Sequence, residues 1–201
     1  MVALALMAPA VAAGEVVEEG TRIAAQGGWR YAPNASFSER ARALETPLAR
    51  EPAGGPSLQL VFGYRVLASL EIAVELGFSH ERFAFEGIDA TSLTQVPLLL
   101  AARWYPAGRH TLTPYFGGGI GYFLNFFSGG LGEIESHTTG PFVLAGLRLG
   151  VGERVGLLAE ARGAWARADL GSLGSLHVGG ISVLVGAELS FAPEKRTMDL
   201  R

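Results

Sequence analysis

Two neighbouring stretches, LQLVFGYRV (residues 58–66) and SLEIAVELGF (residues 69–78), alternate their side-chain character with a period of two. In the first, Leu58, Leu60, Phe62, Tyr64 and Val66 oppose Gln59, Val61, Gly63 and Arg65. In the second, Leu70, Ile72, Val74, Leu76 and Phe78 oppose Glu71, Ala73, Glu75 and Gly77. Period two belongs to the β-strand, whose successive side chains point to opposite faces. Only Leu67, Ala68 and Ser69 are available for a turn between the stretches, so they form an antiparallel hairpin.

The same pattern recurs along the chain, broken by Gly, Pro and polar clusters. About eight segments are read, near residues 21–31, 57–67, 70–84, 92–105, 113–127, 138–151, 154–167 and 177–191, and eight is the smallest common strand number of a membrane barrel. Short connections (LAS, PAGRH, GER) follow the second, fourth and sixth segments, and longer ones follow the odd segments. The longest runs over residues 32–56, where ERARALE can form a helical turn. Alternating short turns and long loops is the expected pattern of an outer-membrane barrel, with the turns in the periplasm and the loops outside. An even strand count puts both termini in the periplasm.

The face of each segment decides between a membrane barrel and a soluble one. The first segment offers Ile23, Ala25, Gly27, Trp29 and Tyr31; the last offers Ile181, Val183, Val185, Ala187, Leu189 and Phe191. Across all eight segments this face carries no charge. One Arg or Lys there would cost about 2–4 kcal/mol at mid-bilayer. The opposite face carries Arg22, Arg30, Arg65, Glu71, Glu75, Arg103, Arg148, Glu160, Arg162 and Glu188, joined by Gln26, Gln59, Gln95 and Asn125. Mixed signs on one face predict ion pairs in a closed interior, which in so small a barrel is just wide enough for side chains. The expected fold is therefore all-β, an antiparallel up-and-down transmembrane β-barrel. Charged residues make up only 17% of the 201, against about 25% in soluble domains, which fits an exterior that meets lipid. The net charge of −3 argues against nucleic acid as a partner.

Aromatic residues group toward the two ends. With the first strand running outward, Trp29, Tyr31, Phe78, Phe126, Phe142 and Trp165 fall near the outer rim, and Tyr64, Trp104, Phe116 and Phe191 near the inner one. Two aromatic girdles are expected where a barrel meets both interfaces. In TPYFGGGIGYFLNFF (residues 113–127), Gly117, Gly119 and Gly121 share the inward face and are expected to leave room for long Arg and Glu chains while easing the curvature. The run lacks the GxGxxG spacing of a nucleotide loop. Pro97 falls inside the fourth strand, where it removes a ladder donor, so a bulge or a later strand start is expected.

The start, MVALALMAPAVAAGE, reads as the apolar part and small-residue cleavage site of a secretory signal peptide over residues 1–13, whose basic beginning would lie further upstream. That leaves a barrel over residues 14–191 and a periplasmic tail over residues 192–201.

The segments FGYRVLASLEIAVELGF, VPLLLAARWYPAG, TPYFGGGIGYF and the last strand together resemble the small outer-membrane β-barrel proteins of Gram-negative bacteria, the outer membrane protein beta-barrel domain group with its OmpA-, OmpX- and OmpW-like relatives. The resemblance covers nearly the whole mature chain. It implies residence in the outer membrane, among its lipid. It also implies that Gly186, Leu189 and Phe191 form the terminal signal read by the barrel assembly machinery, although here APEKRTMDLR follows the aromatic that often ends such chains.

No catalytic constellation emerges. His80, His110, His137 and His177 lack metal-ligand spacing, and there is no cysteine, so no metal or cofactor site is expected. Some barrels of this size act on lipid A acyl chains with His and Ser at the rim. Ser79-His80 and Ser136-His137 could suggest this, but sequence neighbours on a strand point to opposite faces, so Glu81 and Glu135 cannot orient the adjacent base. The pair Glu71 and Glu75 shares its face with several arginines, which favours an ion network over acid–base chemistry. The sequence thus points to a non-enzymatic barrel whose loops, foremost SFSERARALETPLARE, contact a surface ligand. The alternatives are a narrow conduit for small hydrophobic molecules, hinted at by inward Phe123 and Phe127, and a soluble lipocalin-like binder with the faces reversed.

Overall fold

A computed structural model describes residues 20–32, 34–106, 111–130, 132–152, 154–170 and 174–191. The expected signal peptide and tail lie outside these residues, as does His110. Eight long strands form the wall: β1 (Gly20–Tyr31), β3 (Gly54–Leu67), β4 (Leu70–Phe85), β5 (Thr91–Trp104), β6 (Leu112–Gly129), β7 (Ile134–Gly150), β8 (Val155–Ala164) and β11 (Gly180–Phe191). Each pairs antiparallel with its neighbour in sequence, and β1 pairs with β11 from Thr21–Phe191 to Tyr31–Ile181. The ring closes, so no long wall strand is left with an unpaired edge.

Four smaller elements sit at the end that carries the long connections, here the loop end; the other is the turn end. Helix α1 (Ala35–Ala43) and the short strand β2 (Leu48–Arg50) occupy the first connection, and β2 adds to the tip of β4. The last connection carries the hairpin β9 (Arg167–Asp169) and β10 (Ser175–His177). The helix expected around ERARALE therefore forms, but starts earlier, at Ala35.

Several boundaries differ from the sequence reading for identifiable reasons. The second and third longer connections are only residues 86–90 and 130–133, because β4, β6 and β7 run past the expected ends of their segments. The last two wall strands are instead shorter than expected. β8 stops at Ala164, and β11 starts at Gly180, whose φ of +95° turns the preceding chain inward.

At Pro97 neither a bulge nor a later start occurs. β4 and β5 keep one register from Leu76–Leu98 to Ser79–Gln95, and the two pairs between them are simply unjoined. A Cβ on Gly77 would lie 2.6 Å from Pro97 Cγ, so the glycine accommodates the ring.

The glycine run of β6 also works differently from expectation. A Cβ on Gly119 would meet the Leu100 carbonyl at 1.8 Å, and one on Gly121 would meet Leu99 and Phe123 side chains at 2.5–2.9 Å. These positions allow close backbone approach and apolar filling. Room for charged chains is made elsewhere, at Gly63 against Glu71 and at Gly156 against Glu188.

Candidate functional site

The outside of the wall is an apolar band. Leu58, Phe62, Val74, Leu98, Ile120, Leu147, Leu157 and Val185 all stand exposed at 47–62% of their surface, and no charged side chain shares their face in the wall between the aromatic rings. Trp29, Tyr31, Phe78, Phe126 and Trp165 are exposed toward the loop end; Tyr64, Trp104, Phe116 and Phe191 are exposed toward the turn end. Phe142 does not belong with them. It is buried in the lumen with Arg162 over its ring at 4.9 Å, because its even position puts it on the inward face of β7. The faces are thus opposite to those of a soluble lipocalin-like binder, which buries its apolar side and wets its polar one.

The inside holds five buried arginines and five buried glutamates among the described residues. Four of each form one network in the turn-end half. Arg148 bonds Glu188; Glu188 bonds Arg22 at 3.0 Å; Arg22 bonds Glu71 at 2.5 Å. Arg103 then reaches Glu71 and Glu160 at 3.3 Å and Glu75 at 2.6 Å. Arg162 completes the loop on Glu75 at 2.7 Å and Glu160 at 2.5 Å. The strand register explains the meeting: these residues sit at alternate positions on six strands, so each guanidinium faces carboxylates from other strands, and Arg162 also meets Glu160 two positions back on its own. An unpaired charge here would carry its whole desolvation penalty, so the balance of signs is a condition of folding.

Two tyrosines that sequence reasoning missed complete the network. Tyr115 donates to Glu160 at 3.0 Å and Tyr105 to Glu71 at 3.2 Å, with their rings 5.5 Å apart. Their inward parity was readable, but an aromatic on that face was not singled out. Arg65 stands apart from the ion pairs shown for the other arginines. It is half-buried at the turn end, opposite Glu71 in the ladder, with its guanidinium 4.9 Å over the Tyr105 ring.

The loop-end half is built differently. Gln59, Gln95 and Asn125 form a middle layer, with Gln95 donating to Asn125 at 2.9 Å. Above it come Phe127, Leu93 and Phe83, and α1 lowers Phe37 onto Phe83 and Phe85 in edge-to-face contacts at 6.2 and 6.4 Å. The remaining ion pair, Arg30–Glu81 at 2.7 Å, lies here. Glu81 was passed over in the sequence because it was weighed only as a partner of His80. A cavity of about 40 Å³ remains between the layers, lined by Arg30, Gln95, Pro97, Phe123 and Arg162 among others. The axis is filled by charge in one half and closed by α1 in the other.

The rim histidines show no catalytic geometry. Ser79 is inward and bonds Gln95, whereas His80 is outward beside Thr94. His137 is exposed against Tyr122, and the Ser136 carbonyl accepts from Asn125. No group of metal-ligating side chains occurs among the described residues.

A closed ring of eight antiparallel strands with an apolar outside and a charged inside defines the fold of the small outer-membrane β-barrels. Solved structures agree. Neisserial surface protein A matches with a TM-score of 0.56 at 18% identity, over 86% of this chain and 96% of that one. OprG of Pseudomonas aeruginosa matches with 0.61 at 13%, over 88% and 98%. Ail of Yersinia pestis, solved with the heparin analogue sucrose octasulfate, matches with 0.56 at 11%, over 87% and 99%. No family model matches the sequence, and no curated protein does. At these identities the likeness is one of fold.

Proposed function

We propose that the chain is a non-enzymatic outer-membrane barrel of a Gram-negative bacterium, with both termini in the periplasm and a loop end that contacts envelope or surface partners. The observation that carries this reading is the uncharged band around a closed ring whose buried charges point inward. In water such a band would aggregate; in a bilayer it is the ground state. The aromatic rings fit the two interfaces. The long first connection, folded into α1 and β2, fits the outer side. Gly186, Leu189 and Phe191 fit the assembly signal at the end of β11.

The loop end limits its partner. Its described residues expose eight carboxylates against five arginines. Ail was solved with a polysulfate, but an acidic excess repels one, so we assign these loops to neutral or basic surfaces.

A gel of the refolded protein, unboiled beside boiled, tests the barrel: a compact band that shifts on boiling is expected. Val74→Arg should slow insertion into vesicles, at a cost of about 2–4 kcal/mol near mid-bilayer. A protein that stays monomeric without detergent, with Val74→Arg harmless, would overturn the reading. Because the chain lacks cysteine, Asp89→Cys and Ser69→Cys report orientation through an impermeant maleimide on whole cells. Only the former should label.

A conduit for small hydrophobic molecules is the second reading. It is favoured by the unjoined pairs beside Pro97, which thin the wall next to the lumen cavity. The filled axis opposes it. Solute uptake by vesicles that depends on Pro97 would raise it above the first.

A further inference from the structure

One tie of the lid at the loop end runs through a short stretch, residues 177–179. The His177 N–H donates to Asn34 Oδ1 at 2.6 Å, and Asn34 Nδ2 donates back to the His177 carbonyl at 3.3 Å. The Val178 carbonyl accepts from Arg30 and from Gln95, each at 2.9 Å, and the Gly179 carbonyl accepts from Arg30 at 3.2 Å. Val178 itself is fully buried. Three bodies meet here: the first loop through Asn34, the wall through Arg30 and Gln95, and the last loop. Asn34 stands at the N-terminus of α1 yet gives that helix no side-chain cap, because its amide is used in this tie.

The imidazole on this stretch is placed among cations. Its Nδ1 is enclosed without a hydrogen-bond partner. Arg167 of β9 is its direct cross-strand neighbour, and Arg30 of β1 holds the next two carbonyls. Carboxylates are less well placed. Asp169 of β9 lies opposite Ser175, and Glu81 of β4 is occupied by Arg30 and by the Gly54 N–H at 2.7 Å.

We propose that His177 is an acid-operated latch: its protonation adds a cation beside Arg30 and Arg167, loosens residues 177–179, and frees the first and last loops together. Partial burial, then Arg167 and Arg30, hold its pKa below the ordinary histidine value. The closed lid therefore binds the proton less readily than the loosened one. Closure is complete above the ordinary value of about 6.5 and weakens as the pH falls below it. The device would make the outward surface a function of external acidity, whatever the partner.

Amide hydrogen exchange of the full chain in bilayers, corrected for intrinsic chemistry, tests this at about pH 7.5 and about pH 5.5, either side of the histidine range. Residues 34–44 and 174–180 are expected to exchange severalfold faster at the lower pH, with the β6–β7 ladder unchanged. His177→Gln keeps the tie, which uses only the backbone N–H and carbonyl of that residue, and should abolish the response. An unresponsive wild type would overturn the proposal. So would a His177→Gln protein that loosens equally.

Discussion

The two halves of the lumen meet at the layer of Gln59, Gln95 and Asn125, and they are held by different means. In the turn-end half every filling charge comes from a wall strand: Arg22 from β1, Glu71 and Glu75 from β4, Arg103 from β5, Arg148 from β7, Glu160 and Arg162 from β8, and Glu188 from β11. None of them can leave without opening the ring. In the loop-end half much of the filling comes from connections: Phe37 from α1, Leu176 from β10, and Val178 from the approach to β11. Those residues can lift away while the wall stands. The difference teaches which part of such a barrel can be stable and which can be responsive. Charge networks anchored in the ladder fix the ring, and an apolar lid borrowed from loops leaves one end adjustable.

The comparison breaks most visibly at Arg103, which touches Glu71, Glu75 and Glu160. Arg103→Met leaves three buried carboxylates with one cation fewer, and removing one partner of a buried pair costs about 3–5 kcal/mol. Urea unfolding in bilayers should show this as a loss of the whole ring in one transition. Adding Glu75→Gln removes a surplus negative charge and should restore part of the loss. A local loosening at the turn end alone would show that the network is not what couples the strands.

The loop-end half should fail differently. Phe37→Ala removes a fully buried ring that packs on Phe83 and Phe85, a loss of about 3 kcal/mol in an ordinary core. Because the ring belongs to α1, the expected effect is a lid that opens, with fast amide exchange over residues 34–44 and an unchanged unfolding midpoint for the wall. A lowered midpoint would mean that the two halves are one cooperative unit.

How far these halves were legible in the sequence depends on what produced each. The ring and the charged face follow from strict alternation, since parity alone sends Arg22, Glu75 and Glu188 inward and Ile23, Val74 and Leu189 outward. The pairing of particular arginines with particular glutamates was not legible, because it depends on register and on contacts across the lumen, such as Arg103 with Glu160. The lid was the least legible part. Its helix has little periodicity, and its tie runs from Asn34 to His177, two positions 143 residues apart. Glu81 and Tyr115 had the right parity for the interior but were weighed as something else or not at all. Phe142 was misread because its place near an end of the wall was weighed above its parity.

The finest division lies on the seam itself. β4 and β5 keep their register across Gly77, Phe78, Val96 and Pro97 but do not join there. Two causes compete: the missing N–H of proline, and the curvature of a wall this small. Pro97→Ala separates them. It restores one donor and removes the ring that fills the space over Gly77. If proline is the cause, the ladder closes and the β4 amide that faces Pro97 exchanges more slowly. Stability then rises by no more than about 1 kcal/mol, the net worth of one backbone hydrogen bond. If curvature is the cause, that amide stays fast and the seam remains open without proline. The first outcome makes Pro97 the element that keeps the charged half and the apolar half from sharing an unbroken wall. The second makes the seam a property of the eight-stranded ring, and removes Pro97 from any account of passage through it.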